Sequence, residues 1–104
     1  MLTDIEDDYF NVPTKYSLEQ NYPNPFNPST KIKYTVTKES FINLKIYNAV
    51  GQNVAELVNE TKPAGIYEVE FSKGLIHQTL SSGIYFYQLQ AGSFNDTKKM
   101  ILIK

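Results

Sequence analysis

Thr30-Lys31-Ile32-Lys33-Tyr34-Thr35-Val36 decides the fold class. Ile32, Tyr34 and Val36 fall on one side of the chain, and Lys31, Lys33 and Thr35 on the other. That period of two marks a strand with one buried face. The same alternation recurs downstream. In Phe41 to Asn48, Ile42, Leu44 and Ile46 oppose Asn43 and Lys45, with Tyr47 on the polar face. In Ile66 to Ser72, Tyr67, Val69 and Phe71 point inward and Glu68 and Glu70 outward. Gly83 opens Ile84 to Gln90, where Tyr85, Tyr87 and Leu89 share a face. Ile84 and Phe86 fall opposite them, which predicts a strand covered on both sides near its start. Phe94 to Lys104 is the last strand, apolar from Met100 to Ile103. Ser17 to Asn21 reads as a short strand with Leu18 inward. Asn53 to Glu60 is ambiguous: Val54, Leu57 and Val58 fit a helical turn, while Val54, Glu56 and Val58 fit a strand poorly. A strand starting at Asn53 and becoming irregular is expected there.

Turn chemistry separates these segments. Asn27-Pro28-Ser29, Thr37 to Ser40, Ala49-Val50-Gly51-Gln52, Pro63-Ala64-Gly65 and Ala91-Gly92-Ser93 read as turns, and 73–82 as a loop. About seven short strands at even spacing, with no convincing helix, predict an all-β fold: an immunoglobulin-like β-sandwich of antiparallel strands.

Upstream of the deciding strand lies Tyr22-Pro23-Asn24-Pro25-Phe26-Asn27-Pro28. Three prolines fix three φ angles and remove three backbone donors. Tyr22, Asn24 and Asn27 precede them and are pushed toward extended conformations. The stretch is expected to be a stiff, ordered lead-in, with Tyr22 and Phe26 as anchors. Residues 1–16 are expected to be an acidic linker or added tail, and 17–104 the folded domain. Asp4, Glu6, Asp7 and Asp8 against Lys15 give that tail a net charge of −3 within an overall −1. An edge strand through Asp8 to Val12 is the alternative reading of the tail.

Composition removes several function classes. The chain of 104 residues has no cysteine, one histidine (His77) and no arginine among its ten basic residues. Thiol catalysis, cysteine-based metal sites and a multi-histidine site within one chain are excluded. Without arginine or net positive charge, a nucleic-acid partner is not expected. No apolar run approaches a transmembrane helix, and the N-terminus lacks the basic and apolar regions of a secretory signal. An export signal would lie elsewhere in a longer parent chain.

The candidates for chemistry are weak. His77 beside Ser81 or Ser82 lacks a nucleophile-elbow pattern, and a solvated loop histidine explains it. Glu68 and Glu70 are what alternation on an exposed strand face produces. The acidic tail lacks the glycine and spacing of a calcium loop. The tyrosines could form a sugar-stacking platform, but aromatic strand residues more often pair across strands or fill a core. Lys98, Lys99 and Lys104 make a small basic cluster at the chain end. The residues alone lead to a non-enzymatic β-sandwich with no cofactor and no small-molecule substrate.

Five stretches in register resemble one family. They are Leu18 to Thr30; Leu44 to Val54, with Gly51; Ala64-Gly65-Ile66-Tyr67; Ser82 to Leu89, with Gly83 and Tyr85; and Lys98-Lys99-Met100-Ile101-Leu102-Ile103-Lys104. Together they are similar to the type A C-terminal sorting domain of the bacterial type IX secretion system, itself similar to the immunoglobulin-like module of flagellar hook-capping proteins. The sequence departs from that pattern at Gln88 and Gln90, where a basic residue is common, and in its long 72–82 loop.

The resemblance implies a domain at the C-terminus of a larger exported cargo. The cargo would cross the periplasm, and outer-membrane shuttle proteins and the translocon would then deliver it to the cell surface or beyond. A sortase-like cysteine peptidase would cut within residues 1–17, often joining the cargo to an anionic lipopolysaccharide. Pro23, Pro25, Pro28, Gly51, Gly65, Gly83 and Tyr85 would be structural. Lys98 to Lys104 would be read by the partner: the last strand, if it lies at a sheet edge, would suit strand addition or docking, and the lysines would attract an acidic receptor. Deleting Lys99 to Lys104 is then expected to abolish delivery. The alternative function is a carbohydrate- or surface-binding β-sandwich appended to a secreted enzyme.

Overall fold

The computed structural model describes residues 13–72 and 80–103. His77, Lys104 and the possible strand at Asp8 to Val12 lie outside the described residues.

Seven strands form two sheets. They are β1 (Ser17–Leu18), β2 (Ser29–Val36), β3 (Ser40–Asn48), β4 (Asn53–Lys62), β5 (Gly65–Ser72), β6 (Gly83–Ala91) and β7 (Phe94–Leu102). One sheet has the order β1-β2-β5 and the other β4-β3-β6-β7. All pairings between these strands are antiparallel. The chain changes sheets after β2, β4 and β5. This is the immunoglobulin-like sandwich that the alternation predicts.

The core is the inward set of each strand. Ile32, Tyr34 and Val36 from β2 meet Ile42, Leu44 and Ile46 from β3, and Tyr85, Tyr87 and Leu89 from β6. Phe71, Met100 and Leu102 complete it, and all twelve are at most 5% exposed. Leu80, in the described end of the 73–82 loop, is also buried. Tyr16, on the linker side of the expected boundary, stacks on Phe94 with ring centroids 5.6 Å apart, and its hydroxyl meets Ser40 Oγ at 2.7 Å.

The irregular strand expected from Asn53 is present, and one other expectation about strands changes. Asn53–Lys62 is a continuous strand. Register shifts against β3 fall between Leu44 and Lys45 and between Ile46 and Tyr47. Each such irregularity breaks the period of two on one strand, which is why Val54 to Val58 imitates helical spacing. The start of β6 is covered on one face only: Ile84 is 43% exposed and Phe86 half-buried. The sheet β4-β3-β6-β7 has no second layer outside it among the described residues.

Candidate functional site

β7 is an edge strand, and what closes that edge is the proline segment. Alternate residues of an edge strand turn their backbone groups outward. On β7 these include Lys99, Ile101 and, just past the strand, Ile103. Gln20 Nε2 donates to the Lys99 carbonyl at 2.7 Å, and the Ile101 N–H donates to Asn24 Oδ1 at 2.9 Å. The Phe26 N–H donates to the Ile101 carbonyl at 2.9 Å, and the Ile103 N–H to the Phe26 carbonyl at 3.0 Å. One place earlier, the Thr97 N–H is met by Asp96 Oδ1 at 2.9 Å.

The expectation of an edge free for strand addition is therefore corrected over Lys99 to Ile103. The composition of the segment explains how. Pro23, Pro25 and Pro28 have no N–H, so no regular strand forms. Asn24 and Phe26, placed between prolines, supply one side chain and one residue's N–H and C=O that fit the last outward groups of β7.

The same segment is held from its other side. Tyr22 exchanges both backbone hydrogen bonds with Lys31 of β2, at 3.0 and 2.9 Å. Asn21 is buried, and its Nδ2 donates to the Pro23 carbonyl and to Thr30 Oγ1, at 3.1 and 2.9 Å. Thr30 Oγ1 in turn donates to the Pro23 carbonyl at 2.8 Å. From the core, the Tyr87 hydroxyl donates to the Glu19 carbonyl at 2.7 Å and accepts the Asn21 N–H at 2.8 Å. The Phe26 ring is 1% exposed and meets Phe71 edge-on, with centroids 6.0 Å apart. Tyr22, expected as a second anchor, is 81% exposed. Its backbone is used and its ring is not, because the pairing with Lys31 turns the side chain out. Asn21, Thr30 and Tyr87 are the residues that the sequence reading missed. Their one signal was polar side chains flanking the prolines next to a tyrosine on an apolar face.

Lys98 and Lys99 do not form one patch. Met100 and Leu102 face the core, so Lys98 shares their side and reaches Asp96 at 4.0 Å. Lys99 lies on the outer face beside Ile101, opposite Phe86 across the strand pair. Met100 and Leu102 are 0% and 1% exposed. Deleting Lys99 to Lys104 would therefore remove core side chains as well as any recognition surface, and loss of delivery would not separate the two.

The positions expected to be structural differ in their reasons. Gly51 has φ +89° in the β3–β4 turn, where Asn48 Oδ1 accepts the Val50 and Gln52 N–H groups. Gly83 has φ +151°, a region nearly restricted to glycine. Gly65 pairs with Val36, and a Cβ there would make only ordinary contact with the Tyr67 ring, at 3.5 Å. The buried Tyr85 donates to the Ser81 carbonyl at 2.7 Å.

Other candidate chemistry finds bland places. Glu68 and Glu70 sit on the exposed face, registered with Lys33 and Lys31, and Lys31 Nζ lies 3.8 Å from Glu68. No cluster of three metal-ligating side chains occurs among the described residues. The tyrosines form no exposed row among the described residues. Tyr34, Tyr85 and Tyr87 are core, and Tyr16, Tyr47 and Tyr67 are half-buried. Burial pushes Tyr34 and Tyr87 up to about 12, in Tyr87 against the Asn21 backbone hydrogen bond. Hydrogen bonds from Ser40 and Thr37 hold Tyr16 below its usual value.

The fold and its closed edge define a small all-β module whose two most distinctive stretches, far apart in sequence, are one structural unit. The chain belongs to the secretion system C-terminal sorting domain family, the domain of type IX secretion, which it matches over residues 20–104. No curated protein matches it in sequence. Among solved structures it is similar to the dimeric latent PorU of Porphyromonas gingivalis, with a TM-score of 0.64 and 15% identity. The similarity covers 88% of this chain and 10% of that one, and at this identity it speaks to the fold alone. Family membership makes the chain a C-terminal sorting signal for export to the cell surface or extracellular space, in a family that is typically non-catalytic.

Proposed function

We propose that residues 17–104 are a non-catalytic address that carries a larger cargo through the outer-membrane type IX translocon. Residues 1–16 then link it to the upstream cargo domain. Outer-membrane shuttle proteins receive the folded domain from the periplasm, and a sortase-like peptidase cuts within the linker at the surface. The observation that best supports this is the joining of Gln20, Asn24 and Phe26 to Lys99, Ile101 and Ile103. The family's two recognisable ends are thereby one folded surface, available only once the domain has closed.

The test is a folded reporter with an N-terminal export signal fused to residues 1–104, expressed in a bacterium with a type IX system. Reporter at the cell surface is expected, with periplasmic retention in a strain lacking the translocon. Equal surface delivery in both strains would sink the proposal.

A further inference from the structure

The outer face of the β4-β3-β6-β7 sheet is two surfaces. Toward the β6–β7 turn it is mostly polar, with Phe41, 56% exposed, as a single apolar side chain beside Asn43 and Gln90. Asn59, Asn43, Gln90 and Asn95 stand in one cross-strand row, and Glu56, Lys45, Gln88 and Thr97 in the next. Toward the C-terminal end of β7 it turns apolar. Phe86 is registered with Lys99, and Ile84 with Ile101. Ile84 and Ile103 are 43% and 49% exposed, and Val50 of the β3–β4 turn is 79% exposed. Val50 and Ile84 also line one depression of about 220 Å³. That volume is below the range of small-molecule sites, roughly 300–1,000 Å³, and suits a single inserted side chain.

We propose that the receptor of the sorting domain docks on this apolar end, through Val50, Ile84, Phe86, Lys99, Ile101 and Ile103. This rests on the sorting reading and assigns its recognition to side chains instead of the backbone edge. The edge groups of Lys99, Ile101 and Ile103 already have partners, so strand addition there would first have to displace Gln20, Asn24 and Phe26. The outer face needs no such rearrangement. The occupant is a protein surface with apolar side chains and a carboxylate. No carboxylate of the described residues lies within ion-pair distance of Lys99, which leaves its ammonium to complement an acidic group on the partner. A second copy of this chain fits less well, because a two-fold contact sets patch against patch and the patch carries no carboxylate to pair with Lys99.

Half of the patch lies on β6 and the β3–β4 turn, outside the chain end. Ile84→Glu therefore tests it without substituting any of residues 98–104. In the reporter fusion, Ile84→Glu and Lys99→Glu are each expected to lower surface delivery about tenfold or more, the effect of losing one buried contact or charge pair at an interface. Gln90→Glu, in the polar row, is expected to deliver normally. Thermal unfolding of each purified domain at the wild-type temperature keeps folding out of the comparison. Normal delivery of folded Ile84→Glu and Lys99→Glu fusions, beside a delivered wild type, would overturn the docking surface alone. Translocon-independent delivery of the wild type would overturn the sorting reading and this surface with it. A concentration-dependent dimer that Ile84→Glu dissociates would assign the patch to a second copy and equally overturn the proposal.

Discussion

Phe26 and Ile101 share a backbone hydrogen bond of 2.9 Å between the proline segment and the last strand. Beside it, the Phe26 ring descends into the core against Phe71. One residue thus closes a sheet edge with its peptide and fills the interior with its side chain. The neighbouring aromatic of the same segment, Tyr22, does only the first kind of work, toward β2.

That contrast sets the first prediction. Phe26→Ala removes a fully buried ring and should cost about 3–5 kcal/mol. Tyr22→Ala removes an exposed ring and should stay within about 0.5 kcal/mol. Urea denaturation of the two variants measures both, and equal losses would contradict the assignment of a single anchor.

Asn24→Ala should leave the fold intact and uncover one outward amide of β7. Hydrogen exchange at the Ile101 N–H is expected to speed up, while exchange at the Ile103 N–H, held by the Phe26 carbonyl, changes less. Unchanged exchange at Ile101 would mean that the Asn24 side chain does not cap the edge.

Alkaline pH should weaken the fold through two tyrosines. Tyr34 and Tyr87 keep their protons up to about 12 in the folded chain, against 10.0 ordinarily. Between those values the folded state binds more protons than the unfolded one, so stability falls as pH rises. Below the ordinary value the contribution is fully present. Denaturation midpoints should be flat with respect to these groups near neutral pH and decline from 10 toward about 12. Tyr34→Phe should make that decline shallower. Tyr87→Phe should also lower stability at neutral pH by about 1–3 kcal/mol, because it strands the Glu19 carbonyl and the Asn21 N–H.

The glycines should separate by backbone conformation. Gly51→Ala forces a side chain onto φ +89° and should cost about 1 kcal/mol or more. Gly65→Ala meets only the Tyr67 ring at ordinary contact distance and should lie within about 0.5 kcal/mol of neutral. Thermal unfolding of both variants checks this, and equal destabilisation would mean that space, not φ, governs both positions.

The strands were legible because their signal is local. Alternation at Ile32-Tyr34-Val36, Ile42-Leu44-Ile46 and Tyr85-Tyr87-Leu89 needs no knowledge of partners, and each set is buried. Alternation weakens at Val54 to Val58, where register shifts against β3 disturb the period from across the sheet. It fails for Ile84, whose apolar character says nothing about whether a second layer covers it. Of the candidate site, the residue types at the chain end were legible, but Lys98 and Lys99, expected as one basic cluster, fall on opposite faces of β7. The partners of the β7 edge were not legible.

By itself, then, the sequence determined the class of fold, the strand positions and the family, through periodicity, turn residues and five stretches in register. Tertiary structure decided which aromatic of the proline segment is buried, that Asn21, Thr30 and Tyr87 tie that segment down, and that it closes the edge of β7. The physical reason is range. A strand's two faces follow from pleat geometry within a few residues. A segment without regular hydrogen bonds takes its orientation from whatever donors and acceptors the distant strands leave over, and for Asn24 and Phe26 those belong to Ile101 and Ile103.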